Sequence, residues 1–576
     1  MKLLQHFKEL TVRPKNAQEL KGLILQLAIQ GKLTANWRKE NPDIEPASEL
    51  LKRIQKEKEQ LVKEKKIRKE KPLLKIDKDE IPYKVPEYWT WCRVGESGFT
   101  QTGSTPPKKN PENYGSFIPF IGPADISNHL MKYPVEGLSE LGISVGRLIP
   151  KDSLMMVCIG GSIGKCNINE IDVSCNQQIN TVTPIFIPTI YIKTVCQSPF
   201  FQRNVLDKSS GSATPIINKG KWEAIPIPLP PLEEQKEIVK VVEILFKEVE
   251  QLEQLTVERI SLKEDFVTSA LNQLTTNNAN QEWTFLQDHF KSFFNETNNI
   301  KKLRETVLQL AVQGKLTTDW RANNPDTEDA SVLLKRIQKE KAQLIKDKKI
   351  KKEKALPKIT KEEIPYELPK GWVWCRLNEL TELITKGSSP KWQGVQYVDE
   401  GEGILFVTSE NVGNYKLLWK KKKFVESKFN EIEPRSILKR NDLLMNIVGG
   451  SIGRTAIYNI DELANINQAV TIIRLFPKVS YDYFLHFFNS PTCISYMYDK
   501  QVDNARPNLS MSNIAKFMIP LPPLEEQKVI VEKVNALMGL CDSLEEEVQQ
   551  SQEHSEMLMQ SCLREVFEGE RKMEEV

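Results

Sequence analysis

The 576-residue sequence has little of what metal or disulfide chemistry requires. It contains five histidines and nine cysteines, no two cysteines form a CxxC pair, and no HExxH motif is present. Zinc hydrolase chemistry and a disulfide scaffold are therefore not expected, and no metal ligands are predicted. The cysteines are expected to be reduced thiols, buried or half-buried, in a cytoplasmic protein.

Long apolar runs and catalytic motifs are also missing. No run of about eighteen apolar residues occurs, so no membrane span is predicted, and the N-terminal MKLLQHFKEL lacks the apolar region of a secretory signal. The sequence has no GxSxG elbow, no G-x-G-x-x-G fingerprint, no amino-methyltransferase motif and no helicase signature. The segment GGSIGK at residues 160–165 is not a P-loop, because its outer glycines are too close and cysteine follows the lysine. We expect no catalytic residue and no bound cofactor.

The charge balance leaves the type of partner open. Lysine and arginine number 80 against 77 acidic residues, a net charge of +3. Nucleic-acid binding therefore has to be argued from where the charges lie and not from their total. The length predicts two or more domains.

The sequence is present twice. QGKLT occurs at residues 30–34 and 313–317, WxWCR at 89–93 and 372–376, and IPLPPLEEQK at 227–236 and 519–528. These flanking segments are nearly identical, whereas the middles, 95–224 and 377–516, share a pattern but few residues. A retained framework with diverged centres predicts one scaffold that presents two different surfaces.

A long helix is predicted after each IPLPPLEEQK. Two prolines precede residue 232, two glutamates occupy the first turn, and apolar residues alternate four and three apart from Ile238 to Leu252. The helix is expected to end near residue 274. The second copy repeats the pattern, so we expect the two seams to pair with each other. The segments LQLAxQGKLT predict shorter amphipathic helices that end at Gly31 and Gly314.

Lysine-rich segments follow QGKLT in both copies, within residues 33–75 and 316–358. One interpretation is a solvated helix or linker with Glu–Lys pairs one turn apart. The alternative is an arm that binds phosphate or a partner protein. The sequence does not decide between them.

The middles combine short apolar runs with Gly, Pro, Asn and Ser, which predicts strands and loops of mixed α/β domains. CNQQIN and NINQAV place amides at matching positions, and GGSIG precedes a basic residue in both copies. Asn and Gln can bind adenine, and Lys and Arg can bind guanine or phosphate, although ordinary loop polarity and plain hairpin turns also fit. The candidate DNA-binding residues are Lys108, Lys109, Lys165, Asn176, Gln177, Gln178, Ser212, Thr214, Lys386, Lys391, Trp392, Arg454, Asn467, Gln468, Asn504, Arg506 and Asn508.

Four segments together resemble the specificity subunit of a type I restriction-modification system: PLPPLEEQK at the start of a long helix, LQLAVQGKLT, LPKGWVWCRL and GGSIGK/R. The resemblance covers essentially the whole chain. It implies an α+β fold, in which two mixed α/β target-recognition domains are joined by long antiparallel coiled-coil helices with an internal pseudo-two-fold repeat.

The resemblance also implies a function. Each recognition domain would read one half of a bipartite site in double-stranded DNA, while the helices set the spacing and dock two methyltransferase subunits. S-adenosylmethionine, ATP and Mg²⁺ would be used by the methyltransferase and restriction/translocase subunits, and this chain would be non-catalytic. The residues expected to bind partners are Leu27, Leu310, Leu245 and Leu537.

Two other classes of function are less consistent with the sequence. A stand-alone nuclease or methylase would need the missing catalytic motifs, and a protein-binding coiled coil would not need two diverged polar domains. The predicted segments are a helical and Lys-rich region (1–80), a first recognition domain (81–230), a spacer helix (231–275), a repeat of the first region (276–363), a second recognition domain (364–522) and a C-terminal spacer helix (523–576).

Overall fold

A computed structural model describes residues 14–211, 214–276, 281–352, 355–499 and 508–568. Each copy of the repeat contributes ten of the described strands. Those of the first copy are β1 (Thr90–Arg93), β2 (Gly98–Thr102), β3 (Tyr114–Gly115), β4 (Ile118–Ile121), β5 (Gly137–Leu138), β6 (Leu154–Val157), β7 (Cys166–Ile168), β8 (Ser174–Cys175), β9 (Ile179–Pro184) and β10 (Pro226–Leu229). Those of the second are β11 (Val373–Arg376), β12 (Thr381–Lys386), β13 (Tyr397–Val398), β14 (Ile404–Val407), β15 (Phe424–Val425), β16 (Leu443–Asn446), β17 (Thr455–Ile457), β18 (Ala464–Ile466), β19 (Val470–Leu475) and β20 (Met518–Leu521).

The helices repeat in the same way. In the first copy they are α1 (Pro14–Ile29), α2 (Ala35–Glu40), α3 (Ala47–Lys63), α4 (Glu140–Val145), α5 (Thr189–Gln197), α6 (Pro199–Lys208), α7 (Lys219–Glu223) and α8 (Leu232–Thr276). They continue as α9 (Gln281–Asp288), α10 (Phe290–Phe293), α11 (Thr297–Val312), α12 (Thr318–Asn323), α13 (Ala330–Lys346), α14 (Lys428–Ile432), α15 (Tyr481–Phe488), α16 (Pro491–Asp499), α17 (Met511–Ala515) and α18 (Leu524–Glu568).

The chain forms two compact units. One comprises Met1–Ser261 with Glu553–Val576, and the other comprises Leu262–Gln552. Their boundaries fall inside α8 and α18, so the two long helices belong to both units. The predicted fold class, two mixed α/β domains joined by long helices within an internal repeat, is confirmed.

Each unit contains the same three sheets. The strand orders are β2-β9-β6-β7, β3-β5-β4-β8 and β1-β10 in the first unit, and β12-β19-β16-β17, β13-β15-β14-β18 and β11-β20 in the second. The pairs β4–β8 and β14–β18 are parallel, and the other pairs are antiparallel. The match strand by strand shows that the diverged middles keep one topology.

The apolar run LMMV forms β6 because both faces of this strand are covered. Leu154 and Met156 pack in one apolar cluster with the helices, while Met155 and Val157 pack in a second cluster on the other face. This division follows the two-residue period of a strand. Strand β16 is divided in the same way between two clusters of the second unit.

The repeated motifs WxWCR and IPLP are neighbouring strands. Strand β1 pairs antiparallel with β10, with Cys92 opposite Ile227, and β11 pairs with β20, with Cys375 opposite Ile519. Proline is tolerated there because each sheet has two strands only, so one side of the proline strand needs no donor. The retained segments at the two ends of each domain therefore pair with each other as a two-stranded sheet.

The second glutamate of IPLPPLEEQK joins the other retained motifs. Glu234 is fully buried. Its carboxylate accepts hydrogen bonds from Thr34 Oγ1 at 2.6 Å, from Trp89 Nε1 at 2.7 Å and from Arg38 Nη1. These partners come from QGKLT, from the helix after it and from WxWCR. Three separated segments are thus joined at the first turn of α8.

The second unit contains an equivalent node. Glu526 is also fully buried, and it accepts from Thr317 Oγ1 at 2.6 Å, Trp372 Nε1 at 2.8 Å and Arg321 Nη1. A buried carboxylate requires such partners because its desolvation is costly. This requirement accounts for the letter-for-letter repetition of these motifs.

The helix predictions are confirmed, but the seams pack in a more complex way than expected. Helix α8 begins at Leu232, and α1 and α11 are each followed by a glycine with positive φ. The first seam residues of α8, Ile238, Val242 and Val249, pack in the apolar core of their own domain with α1. Contact between the two seams lies further along: Val267 and Leu271 share a cluster with Cys541 and Val548 of α18.

The lysine-rich segments are folded onto their own domains. Helix α3 buries Ala47, Leu50 and Ile54. Lys58 donates to the carbonyl of Gly95 at 2.7 Å and pairs with Glu70 at 2.9 Å. In the first copy the lysine-rich segment therefore contains a helix with one apolar face, α3, and the segment after α3 is held by side-chain contacts.

Arginine of WxWCR anchors the segment after α3. Arg93 donates to the carbonyls of Leu74 and Lys75 at 2.8 and 2.9 Å and pairs with Glu80 at 2.7 Å. The Arg93 guanidinium lowers the pKa of Glu80 to about 2. Arg376 pairs with Glu363 in the second unit, at 2.8 Å.

The cysteine prediction is confirmed where the side chains are described: eight cysteines are buried and carry no disulfide. Within the described residues, no helix is long and apolar enough to cross a membrane.

Candidate nucleic-acid interface

The predicted amide motifs form matching tight turns. Residues 176–178 connect β8 to β9, and residues 467–469 connect β18 to β19. Asn176 Oδ1 accepts from the backbone N–H of Gln178 at 3.0 Å, and Asn467 Oδ1 accepts from that of Ala469 at 3.1 Å. The two asparagines therefore hold the turns, as Asx turns do.

The glutamines of these turns point outward. Gln177 and Gln468 are exposed at equivalent positions. Gln177 Oε1 accepts from Thr105 Oγ1, and Gln178 Oε1 accepts from Asn176 Nδ2 at 3.2 Å. The glutamine amides at 177 and 468 are therefore better placed than the asparagines to meet a base edge.

A basic loop starts against each turn. A Cβ on Gly103 would come within 2.1 Å of the carbonyl oxygen of Asn176, and one on Gly387 within 1.9 Å of that of Ile466. Only glycine permits these approaches. The exposed candidates carried by the two loops are Lys108, Lys109, Lys391 and Trp392, and exposed Lys386 ends β12 just before the second loop. The Trp392 side chain is 77% exposed, which suits it to stack on a nucleic acid.

A third loop joins the same edge in the first domain. The N–H of Cys158 donates to the carbonyl of Gln178 at 2.8 Å, and the carbonyl of Cys158 accepts from Ile217 N–H at 2.9 Å. Gly160 N–H donates to the carbonyl of Pro215 at 2.9 Å. Thr214, which is exposed, is thereby placed beside the amide turn.

The second domain has the same hydrogen-bond pattern. Ile447 N–H donates to the carbonyl of Ala469 at 3.0 Å, and Leu509 N–H donates to that of Ile447 at 2.9 Å. Exposed Asn508 forms a bridge with Val448. Each domain therefore brings separated candidate residues to one edge. Ser212, Asn504 and Arg506 lie outside the described residues.

The GGSIG segments form tight turns in both domains. We expected their basic residues, Lys165 and Arg454, at the tips, and this was wrong. The turns connect β6 to β7 and β16 to β17. The carbonyl of Lys165 accepts from Val157 N–H, and that of Arg454 accepts from Asn446 N–H, both at 2.9 Å. Each basic residue is thus at the base of its turn, where the strand ladder fixes the backbone, and its side chain is exposed.

Sequence reasoning missed the lysine run that follows Trp419. Lys420, Lys421 and Lys422 are exposed, and the carbonyl of Lys423 accepts from Phe406 N–H at 2.8 Å. The next residue of that strand, Val407, accepts from Asn467 N–H at 3.1 Å, so the run adjoins the amide turn. Four consecutive lysines beside a tryptophan are a visible signal, but the first copy has no such run, so the comparison of the two repeats does not reveal it.

The cysteines near the first amide turn are not suited to act as nucleophiles. Burial raises the pKa of Cys158 and of Cys175 to about 12, so both thiols stay protonated at neutral pH and are poor nucleophiles. No group of three or more His, Cys, Asp or Glu side chains in the described part of the chain is arranged to hold a metal ion.

The residues predicted to bind partners differ in exposure. Leu27 is 6% exposed and so already covered within this chain, whereas Leu310 is partly exposed. Leu245 and Leu537 are partly buried against the core of their own domains. A partner would therefore reach Leu310 more readily than Leu27.

Comparison with known proteins identifies the family. Residues 86–259 and 369–553 match the family described as type I restriction modification DNA specificity domain. The chain is 30% identical over 555 residues to the type I restriction enzyme EcoAI specificity subunit of Escherichia coli, across 92% of this chain and 90% of that protein. It is 30% identical over 570 residues to the EcoEI specificity subunit of Escherichia coli, across 93% and 91%.

A solved structure supports the fold. A chain from a structural study of complex assembly and conformational transition of the type I R-M system aligns with a TM-score of 0.50 at 18% identity, across 85% of this chain and 100% of that one. Each sequence match to the family contains one complete ten-strand domain, and the curated relatives match across nine-tenths of the chain. This chain therefore belongs to the type I restriction-modification DNA specificity family.

Proposed function

We propose that each ten-strand domain reads one half of a bipartite DNA target. The observation that carries this proposal is that two domains of one topology bring the same kinds of segment to one edge: a turn with an exposed glutamine, a basic loop and a third polar loop. The framework under this edge and the exposed glutamine of its turn are retained, while the exposed residues of the surrounding loops differ. Two related surfaces on one chain suit a target with two different halves.

The chemistry of the edges divides into two roles. The Gln177 and Gln468 amides can each donate and accept, which is the pattern that recognises adenine in the major groove. The exposed lysines and Arg454 supply positive charge that suits phosphates, which give affinity without sequence information. Base reading and backbone binding would then lie side by side in each domain.

The chain's own part in the proposed complex is recognition and not catalysis. Methylation with S-adenosylmethionine would reside in two methyltransferase subunits, and ATP- and Mg²⁺-dependent translocation and cleavage in restriction subunits. The relatives are named as specificity subunits of restriction enzymes, and α1 with α8 is duplicated by α11 with α18, which offers two equivalent docking surfaces. Purified alone with DNA, Mg²⁺, ATP and S-adenosylmethionine, the chain should neither methylate nor cut.

A domain exchange tests the proposal. Residues 95–224 are replaced by the matching middle of a relative, so that β1, β10 and the Glu234 node stay intact. Methylome sequencing of cells that carry the chimera and its methyltransferase should show one altered half-site and one unchanged half-site. An alteration of both halves, or of neither, in an active complex would contradict independent reading.

A further inference from the structure

The two domains differ beside the two-stranded sheet, which is β1–β10 in the first domain and β11–β20 in the second, next to the helix pairs α5–α6 and α15–α16. In the first domain three aromatic rings fill this place. The ring centroids of Tyr83 and Trp91 are 5.3 Å apart, and Phe200 lies 6.0 Å from Tyr83 and 5.9 Å from Trp91. Phe200, the second residue of α6, closes the group.

Threonine stands at the position of this phenylalanine in the second domain. Helix α16 repeats α6, and Thr492 follows Pro491 as Phe200 follows Pro199. The Thr492 hydroxyl donates to Gln309 Oε1 at 2.8 Å. Tyr366 and Trp374 keep the pairing of the first domain, with centroids 5.2 Å apart, but the third ring is missing.

A cavity of about 510 Å³ opens where that ring would lie. Trp374, Phe487, Tyr496 and Phe517 provide aromatic walls, and the rings of Tyr496 and Phe517 meet edge to face at 5.0 Å. The size falls within the range of small-molecule sites, roughly 300–1,000 Å³. The cavity therefore has room for a ligand or for a side chain of another molecule.

The rim of the cavity is acidic. Glu362, Glu363 and Asp499 line it. Arg376 pairs with Glu363 at 2.8 Å and offsets one of these charges. The first domain has Arg203 where the second has Ser495, which also lines the cavity. The change from arginine to serine removes a positive charge. The surroundings of the cavity are therefore more acidic than the equivalent place in the first domain.

We propose that this cavity binds an organic cation, an ammonium or guanidinium group on a short aliphatic chain. Aromatic faces attract cations through their quadrupole, and nearby carboxylates add to that attraction. The same carboxylates disfavour nucleic acid, so the proposed ligand of this cavity is not DNA. The cation could be a free amine or a Lys or Arg side chain of a partner subunit.

Calorimetric titration of the full chain tests the proposal. The probes are n-butylguanidinium and putrescine, with butyramide as the uncharged control. Saturable binding of the cations is expected, with a Kd on the order of 1 mM for ligands of this size, and butyramide should bind at least about tenfold more weakly. Equal binding of butyramide, or no saturable binding of either cation, would overturn the proposal.

Thr492→Phe is the blocking variant, because it restores the ring of the first domain. It should bind the cations at least about tenfold more weakly and unfold at the same or a higher temperature, since it fills a cavity. Glu362→Gln with Asp499→Asn keeps the cavity and should weaken cation binding without changing butyramide binding. Undiminished cation binding by Thr492→Phe would place the cation elsewhere and overturn the assignment.

The source of the cation follows from a second titration, with the methyltransferase bound. Cation binding that persists in that complex identifies a free amine as the ligand. Binding by the chain alone that disappears in the complex, while Thr492→Phe weakens assembly, identifies a partner side chain.

Discussion

The indole N–H of Trp89 donates a hydrogen bond to Glu234 Oε2 at 2.7 Å, and Trp372 donates to Glu526 Oε2 at 2.8 Å. The members of each pair are 145 and 154 residues apart in the chain. The bond connects the residue just before the first strand of each domain to the first turn of its long helix. It holds the start of the long helix against the domain, which the spacing of the two proposed DNA-reading edges would require.

Removal of the buried carboxylate should destabilise one unit. Glu234→Ala leaves Arg38 as a charge without its partner and Trp89 and Thr34 without their acceptor, and we expect a loss of about 3–5 kcal/mol in the first unit. Glu526→Ala should do the same in the second unit. Scanning calorimetry of the full chain measures both.

The adjacent glutamate is the matched control. Glu233 is exposed and pairs with Lys236 at 2.7 Å, a surface pair that typically contributes little. Glu233→Ala should therefore leave the transitions almost unchanged. Equal effects of Glu233→Ala and Glu234→Ala would show that the buried node does not hold the helix.

Glutamine substitutions should change which base is preferred. Gln177→Ala is expected to relax the preference in one half-site only, and Gln468→Ala in the other, by about 1–3 kcal/mol per position. Selection from random duplexes, with the methyltransferase present, measures the preference. If either variant instead lowers binding to all sequences equally, that glutamine contacts the backbone and does not read a base.

Basic residues at the edges should contribute affinity and salt dependence. Lys165→Ala and Arg454→Ala are each expected to reduce the slope of log K against log salt by about one, and Lys420→Ala with Lys421→Ala by about two. Base preference should stay the same. Lys335→Ala, on an exposed face of α13, is the control that should leave the slope unchanged; a shifted preference at constant slope would contradict the phosphate role.

The extent to which these features were predictable depended on distance in the chain. The long helices, the glycine-ended helices α1 and α11 and the duplicated strands follow local patterns, and these were predicted. The role of Asn176 was not predicted. Its Oδ1 accepts a backbone hydrogen bond within the turn between β8 and β9, and that turn forms only when the two strands are in place. The cavity beside Thr492 was not visible either, because the rings around it come from three separated segments.

Acidification should destabilise the second unit through His486. Burial lowers the pKa of His486 to about 4 from an ordinary value near 6.5. Between these values the unfolded chain binds the proton more readily than the folded chain, so stability is lost as pH falls from about 6.5 to about 4, by on the order of 2–3 kcal/mol. The unfolding free energy of the wild type minus that of His486→Leu should therefore decrease as the pH falls through this window.

The matched control replaces a histidine of the other unit, His129→Leu, at an exposed position. If His486→Leu kept the full acid dependence of the second unit, another group would be responsible, and His486 would not be the titrating residue.

The length of the long helices should set the gap between the two half-sites. Seven residues inserted after Ser261 in α8, with seven after Gln552 in α18, add about 10.5 Å of helix, close to three base-pair steps of about 3.4 Å. A heptad turns the apolar seam by only about 20°, so the cluster around Leu271 and Cys541 keeps its partners. A four-residue insertion turns it further and serves as the mismatched control, with a loss of assembly expected. Methylome sequencing of cells that carry the paired insertion should show the same two half-sites with a gap wider by about three base pairs. An unchanged gap in a fully active complex, or new bases in either half, would mean that these helices do not measure the distance.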